Sequence, residues 1–461
     1  MSLLFYAWGE PIFVLVLCGS IFINYLLALL IEKSRACRAV SRLLLILTLV
    51  GNVGLLFVYK YLASAVSGVN AIFDVSLKIS NLALPLGISF FTFRTISYIL
   101  DVYFETSKVQ RNLLNVALYV SFFPQLTMGP ISKYNDFEKQ LSNRHTTSQS
   151  FAVGCERFVI GLAKKVILSN TIGVLVDKAF SMATGELTVL LSWLGIIGYL
   201  FQLYYDFAGY SDMAIGLSRM FGFDCPENFD YPYISKTIGE FWRRWHITLG
   251  VWLKDYLYTP VFRGVMNKKN PLTRKTYTMQ QCDLIALFFT WIVCGMWHGA
   301  GRKFLVYGMY YFMFIAGERM WQAHKKKVAK QKKLPKHKET RWEAARGHIY
   351  AIIVIIFGQL IFRSSSLSSA VSYAGSMFGL HGNDLFDSYS VFLAQEYAVV
   401  LLIALLFSFP IVRYIRKFCG TYAVPNRIAA VVTPLLYAVL LFIGIAYVLN
   451  GSYNPFIYFQ F

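Results

Sequence analysis

Two histidines, His246 in "RRWHIT" and His298 in "GMWHGA", each follow a tryptophan in an otherwise apolar stretch. An imidazole titrates near neutrality and can take a proton from a hydroxyl group. A polar ring inside a membrane is costly unless it is satisfied, so such residues are candidates for function. The plainer reading, a buried hydrogen-bonded ring, stands beside it for both. Around His298 the small residues Gly295, Gly299, Ala300 and Gly301 predict the open space that a substrate needs. The other histidines sit in more polar places. His324 and His337 lie in a lysine tract, His145 follows "LSNR", His381 falls in an outer loop, and His348 marks the entry of a span.

Several chemistries are not indicated. There is no GxSxG elbow for a serine hydrolase, no HxxxH or HExxH metal pair and no Walker A phosphate loop. The seven cysteines are scattered without CxxC spacing, which predicts neither a disulfide framework nor a zinc site. A second constellation is acidic. "YYDFAGYSDMAIG" places Asp206 and Asp212 at the end of a span beside Tyr204, Tyr205, Tyr210 and Ser211. They read as a polar tunnel wall, as partners for Arg243 or Arg244, or as buried helix–helix hydrogen bonds. Arg94 and Asp101, seven residues apart in one span, predict a paired internal charge on one helix face.

The elements that must position these groups are membrane helices. The chain is 56% hydrophobic and 15% charged, against roughly a quarter charged for a soluble domain. Continuous apolar runs near the length of a bilayer crossing exclude the alternating pattern of an outer-membrane barrel. We read an all-α polytopic protein forming a single embedded domain, residues 1–461, with about eleven spans. These run from Ile12–Ile31 to Ile428–Leu449 and include Leu82–Phe104, Leu113–Pro130, Val189–Phe207, Asp283–Gly299, Phe304–Met320 and Tyr397–Ile415. The N-terminus lacks a basic n-region and a cleavage site, so it reads as a retained first span.

The 44 Lys and Arg against 24 Asp and Glu give a net charge of +20. They cluster in loops, which points to the cytoplasmic side rather than to nucleic acid. The basic segments Glu32–Arg42, Arg319–Arg346 and Arg413–Arg427 should face the cytoplasm, with residues 319–347 forming a basic loop. Ser364–Gln395 has no Lys or Arg and should face outward, as should both termini, including "YNPFIYFQF". The basic segment Lys133–Arg157 fits this map only if Leu113–Pro130, broken by Pro124, Gly129 and Pro130, enters the membrane and returns. In residues 228–279, Phe241, Trp245, Leu249, Trp252 and Tyr256 recur every three to four positions. That predicts one aromatic-striped helix in a cytoplasmic-side interfacial or re-entrant region.

Taken together, "LPLGISFFTFRTISYILDVY", "FFPQLTMGPISKY", "GLAKKVILSN", "YYDFAGYSDMAIGLSRMFGF", "FWRRWHITLGVWLKDYLYTP" and "GMWHGAGRKFLVYGMYY" resemble the membrane-bound O-acyltransferase (MBOAT) family. "LIFRSSSLSSAVSYAGSMFG" and "NPFIYFQF" resemble its bacterial branch, which holds the alginate O-acetylation membrane subunit and the D-alanyl-lipoteichoic acid transferase.

The resemblance implies a ring of tilted helices with re-entrant segments around a central tunnel. It makes His298 the catalytic histidine and His246 the second motif histidine. It implies no bound cofactor or metal. The donor would be a cytoplasmic thioester, acetyl-CoA or an acyl carrier protein, entering past Arg243, Arg244, Trp245 and Trp297. The acceptor would be a hydroxyl on an extracytoplasmic polysaccharide or on an exported SGNH-type partner transferase. The setting would be the bacterial inner membrane, with Asp206, Asp212 and Tyr205 lining the substrate path. D-alanyl transfer to teichoic acid is the neighbouring activity, and a glycan or acyl transporter is the alternative outside enzymology. Two departures from the family pattern concern the substrate. "GRK" at 301–303 follows "WHGA", so Arg302 and Lys303 could bind an anionic acceptor or be ordinary loop charge, and "TPVFRGVMNKKN" lacks the usual glycine pair.

Overall fold

The computed structural model describes the chain except residues 79–81, 272–273, 334, 336, 338, 422, 451–455 and 458–461, so most of the terminal "YNPFIYFQF" lies outside the described residues. Among the described residues every extended element is helical, with one isolated β-bridge between Lys269 and Thr276. Among the described residues eight helices are long and apolar enough to cross a membrane. The protein is a multi-pass, all-α membrane protein. Its contacts divide it into two compact units, residues 1–158 with 210–227, and residues 159–209 with 228–461.

In the first unit, helices Phe13–Lys33 and Arg38–Lys60 exchange amide hydrogen bonds between Asn24 and Asn52, at 2.7 and 3.3 Å. Two facing polar side chains satisfy each other this way where lipid offers no partner. The expected span Leu82–Phe104 is a shorter helix, Ile88–Tyr103, buried along nearly its whole length. Its Arg94 does not pair with Asp101: Nη1 donates to the carbonyls of Tyr119 and Val120, both at 3.2 Å. Seven residues of helix span about 10 Å, too far for a direct ion pair. Leu113–Pro130 breaks as its prolines and glycine require. Helix Leu113–Ser121 ends at extended Phe122, and a short turn, Phe123–Leu126, follows. Asp212 belongs to this unit and is ion-paired with Arg157, whose guanidinium also holds Glu227.

In the second unit, helix starts follow their side-chain caps. Thr278 with Gln281 and Thr340 with Glu343 form capping boxes for helices Met279–His298 and Arg341–Arg363. Three boundaries correct the sequence reading. Helix Val189–Met220 runs past Phe207, so Asp206 and Asp212 lie inside a helix rather than at its end. The basic "loop" 319–347 is largely helix, because Arg302–Gln331 continues through the lysines and Arg341–Arg363 begins soon after. Lysine has good helix propensity, and its charge does not stop a helix. Finally, the span placed at Tyr397–Ile415 is helix Ser388–Phe407, which stops before Pro410. A separate helix, Ile411–Thr421, follows.

The aromatic stripe of residues 241–256 does not lie on one helix. Helix Ile238–Arg244 ends, Trp245 is extended, and His246 takes a left-handed backbone with φ 45°. Helix Ile247–Leu253 then begins. The stripe residues Phe241, Trp245, Leu249 and Trp252 are all buried.

Candidate active site

His298 is the last residue of helix Met279–His298. The next helix, Arg302–Gln331, packs back on it with the backbones nearly touching. A Cβ on Gly295 would stand 2.4 Å from the carbonyl oxygen of Phe304, and one on Gly308 would stand 2.3 Å from that of Trp291. Gly295 therefore does not leave the open space that the sequence suggests, although Gly301 does, with nothing nearer than 3.8 Å to its hypothetical Cβ. A Cβ on Gly299 would likewise meet the Phe304 ring at 2.4 Å. Their small size lets two helices close on each other, and that closure brings rings onto the imidazole. Phe362 stands edge-on at 5.0 Å, Tyr307 edge-on at 5.6 Å and Trp297 tilted at 4.6 Å. His298 is 5% exposed.

Lys303 has a definite place in this arrangement. Its Nζ donates to the carbonyls of Ser364 at 2.6 Å and Phe362 at 3.2 Å. A cation at the C-terminus of helix Arg341–Arg363 meets the negative end of the helix dipole. Lys303 thus ties the helix carrying Phe362 to the turn after His298. The sequence reading offered Lys303 and Arg302 as acceptor contacts. Lys303 is bonded to the protein's own carbonyls, and Arg302 is exposed.

His246 is held differently. One oxygen, Asn228 Oδ1, accepts from the Thr248 amide at 3.2 Å and the Thr248 hydroxyl at 2.9 Å, and it faces His246 Nδ1 at 3.1 Å. The backbone amide of Ile247 donates to the Asn228 carbonyl at 2.9 Å. The Thr248 amide can only donate, so the atom it meets is the amide oxygen of Asn228. His246 Nδ1 therefore carries the proton, and Nε2 is left as an acceptor. Burial pushes this imidazole, which lies outside the candidate spans, down to about 3, so the ring is neutral at ordinary pH. The left-handed backbone at a non-glycine residue costs about 1–3 kcal/mol and persists because Asn228 fixes the turn. Asn228 was missed from the sequence, where no spacing or composition distinguishes it.

The two histidines share a neighbour. The Trp297 ring lies 6.2 Å from His246 and 4.6 Å from His298. On the His246 side is a cavity of about 720 Å³, within the size range of small-molecule sites. Its wall includes Trp242, Arg243, Trp245, His246, Trp291, Cys294, Glu318 and Arg319, with the Trp242 and Trp291 rings in edge contact at 4.9 Å. His298 does not line it. Glu318, also missed from the sequence, accepts the backbone amides of Ile238 and Gly239 at 2.5 and 2.9 Å. It caps the helix that carries Trp242 and Arg243. Asp283 bonds both Tyr258 and Arg319 at another part of the wall.

The remaining expected residues are not brought to this cavity. Arg244 is bonded to Glu240 and Asp230. Asp206 pairs with Lys165 and accepts the amide of Ile457 at 2.8 Å. Asp206 is held by Lys165 on the π-helical turn, and Asp212 by Arg157 on helix Ser148–Ala163, which continues into that turn. Tyr205 donates to the carbonyl of Ala404 at 2.6 Å and packs against helix Ser388–Phe407. Among the described residues no group of three or more His, Cys, Asp or Glu could hold a metal ion.

Comparison with known proteins places residues 105–368, which include both histidines, in a match to the model of the membrane-bound O-acyltransferase family. The chain is 34% identical over 480 residues to "Probable alginate O-acetylase AlgI" of Pseudomonas putida, covering all of this chain and 93% of that protein. It is 30% identical over 502 residues to "Peptidoglycan O-acetyltransferase" of Helicobacter pylori, covering all of this chain and 90% of that one. It is 31% identical over 289 residues to "Teichoic acid D-alanyltransferase" of Bacillus subtilis, covering 61% of this chain and 69% of the other.

Proposed function

Because the chain belongs to the membrane-bound O-acyltransferase family and is a membrane O-acyltransferase, we propose that it moves an acetyl group from a cytoplasmic thioester to a hydroxyl outside the cell membrane. The observation that carries this reading is the pair of tryptophan-linked histidines, one on the wall of a cavity and one ringed by aromatic side chains. The thioester enters from the side of the basic segment 319–347, which faces the cytoplasm of a bacterial inner membrane. Its arm occupies the cavity lined by Trp242, Arg243 and Trp291, where aromatic walls with Arg243, Lys254 and Arg319 suit a partly apolar chain ending in phosphates.

His298 takes the proton of the acceptor hydroxyl as its oxygen attacks the thioester carbonyl carbon. The C–S bond breaks, the departing sulfur receives that proton from His298, and the ester is complete. His246 presents Nε2 as an acceptor, which suits an amide N–H of the donor's arm and so places the thioester. In this tautomer Nε2 cannot donate to the acyl carbonyl. Trp245 supports the turn from within the core, and Trp297 spaces the two imidazoles. Arg244, Asp206, Asp212 and Tyr205 hold helices in place rather than touch substrate.

The acceptor is a polysaccharide hydroxyl, of the envelope or of an exported glycan, reached directly or through an exported SGNH-type transferase. Acetyl is favoured over D-alanyl because two acetylase relatives align with the whole chain, whereas the D-alanyl relative covers 61% of it. Purified protein in proteoliposomes, offered labelled acetyl-CoA and carrier-bound D-alanine in separate reactions, should release label from the first. Turnover of D-alanine alone would overturn the acetyl assignment.

A further inference from the structure

Helix Ile411–Thr421 is sharply two-sided. At about 100° per residue, Ile411, Tyr414, Ile415 and Phe418 share one side, while Arg413, Arg416 and Lys417 share the other. The helix carries no acidic residue, and none of its residues is buried. Tyr414 and Ile415 remain 69% and 54% exposed. Candidate spans flank it closely, Ser388–Phe407 before and Asn426–Asn450 after. That places it at a membrane surface, and its charge assigns the cytoplasmic one. An apolar side with a basic opposite side is the pattern of a helix lying in an anionic interface.

One contact joins this helix to the cavity. Arg413 donates to Asp230 Oδ1 at 2.7 Å, and its guanidinium covers the Tyr231 ring at 4.9 Å. Asp230 Oδ2 holds Arg244 at 3.1 Å, and the Asp230 amide donates to the Arg244 carbonyl at 2.9 Å. Arg244 ends the helix that brings Trp242 and Arg243 to the cavity. Two residues before Asp230 stands Asn228, which fixes His246. The short segment 228–231 therefore touches the surface helix, the cavity helix and the histidine turn together.

We propose that helix Ile411–Thr421 reads anionic lipid on the cytoplasmic leaflet, and that Arg413 passes its docking through Asp230 to the cavity helix Ile238–Arg244. The proposal holds whatever the acyl donor and acceptor are. Hydrogen–deuterium exchange tests it on the full chain in two nanodisc compositions, phosphatidylcholine alone and phosphatidylcholine with about a third phosphatidylglycerol, an anionic lipid. Each basic residue near an anionic surface favours the docked state about fivefold. Residues 411–421 should exchange more slowly on phosphatidylglycerol, and the double variant Arg416→Gln/Lys417→Gln should lose about 25-fold of that docking preference. Residues 238–246 should slow in parallel in the unaltered protein. With Arg413→Gln, residues 411–421 should still respond while residues 238–246 do not. Equal exchange on the two lipids, or protection that appears only when an acidic acyl carrier protein is added, would overturn lipid reading. An undiminished response of residues 238–246 in Arg413→Gln would overturn transmission through Asp230.

Discussion

The dipeptide Trp–His occurs twice in this chain, at 245–246 after two arginines and at 297–298 at the end of an apolar run. At the first, the backbone breaks into a left-handed turn and an amide oxygen holds the imidazole. At the second, the histidine closes an unbroken helix and stands among rings. A hydrogen bond to Asn228 fixes which nitrogen of His246 bears the proton. Around His298 the edges of Tyr307 and Phe362 pack against the ring. The first arrangement suits holding a molecule in place, and the second suits taking up a proton and giving it back.

Removing the imidazoles should separate these roles. His298→Ala should lower kcat by about 10²–10⁴-fold, the range for loss of a general base, with little change in KM, as steady-state acyl transfer would read. Asn228→Ala acts on the other histidine. It leaves the His246 and Thr248 donors without their shared acceptor, at a cost of about 1–3 kcal/mol, visible as a lower Tm. Because His246 then loses its fixed tautomer, KM for the thioester should rise by about tenfold, the equivalent of about 1.4 kcal/mol. A rise in KM with kcat unchanged would confirm a holding role, and an equal fall in kcat would merge the two histidines into one function.

Two smaller effects sharpen the contrast. His246 is held near 3 in the folded protein by burial, whereas an unfolded histidine titrates near 6.5. Below pH 6.5 the unfolded chain binds a proton that the native one refuses. Stability should therefore fall as pH drops through 6.5 toward 3, by about 1.4 kcal/mol per pH unit from this group. His246→Asn should flatten the fall in Tm between pH 7.5 and 5, while His298→Ala should leave that part of the slope in place. Lys303→Met, which removes the bonds to the Phe362 and Ser364 carbonyls, should cost about 1 kcal/mol and lower kcat a few-fold. Unchanged kcat with the lower Tm would reduce Lys303 to a stabilising contact.

The sequence carried the membrane character, the break near Pro124 and the family motifs around both histidines. These are local properties, legible from hydropathy and proline, whereas the caps at Thr278 and Thr340 start two helices earlier than hydropathy places them. It did not carry partners. Asp206 reads like a tunnel acid until Lys165, 41 positions earlier, is seen beside it. The aromatic stripe from Phe241 to Tyr256 obeys helical spacing, yet the turn at His246 is set by Asn228, 18 positions away. Glycines beside His298 looked like vacancy, because a sequence records the absence of a side chain and not what fills its place.

For redesign of substrate range, the Gly295–Gly308 crossing is a poor place to cut or fill. With each hypothetical Cβ 2.4 Å or less from a backbone oxygen, even alanine would push the two helices apart and carry Phe304 and Tyr307 away from the imidazole. Natural variation and laboratory libraries alike should then find new acyl chains through Trp242, Leu287 and Trp291, which line the cavity.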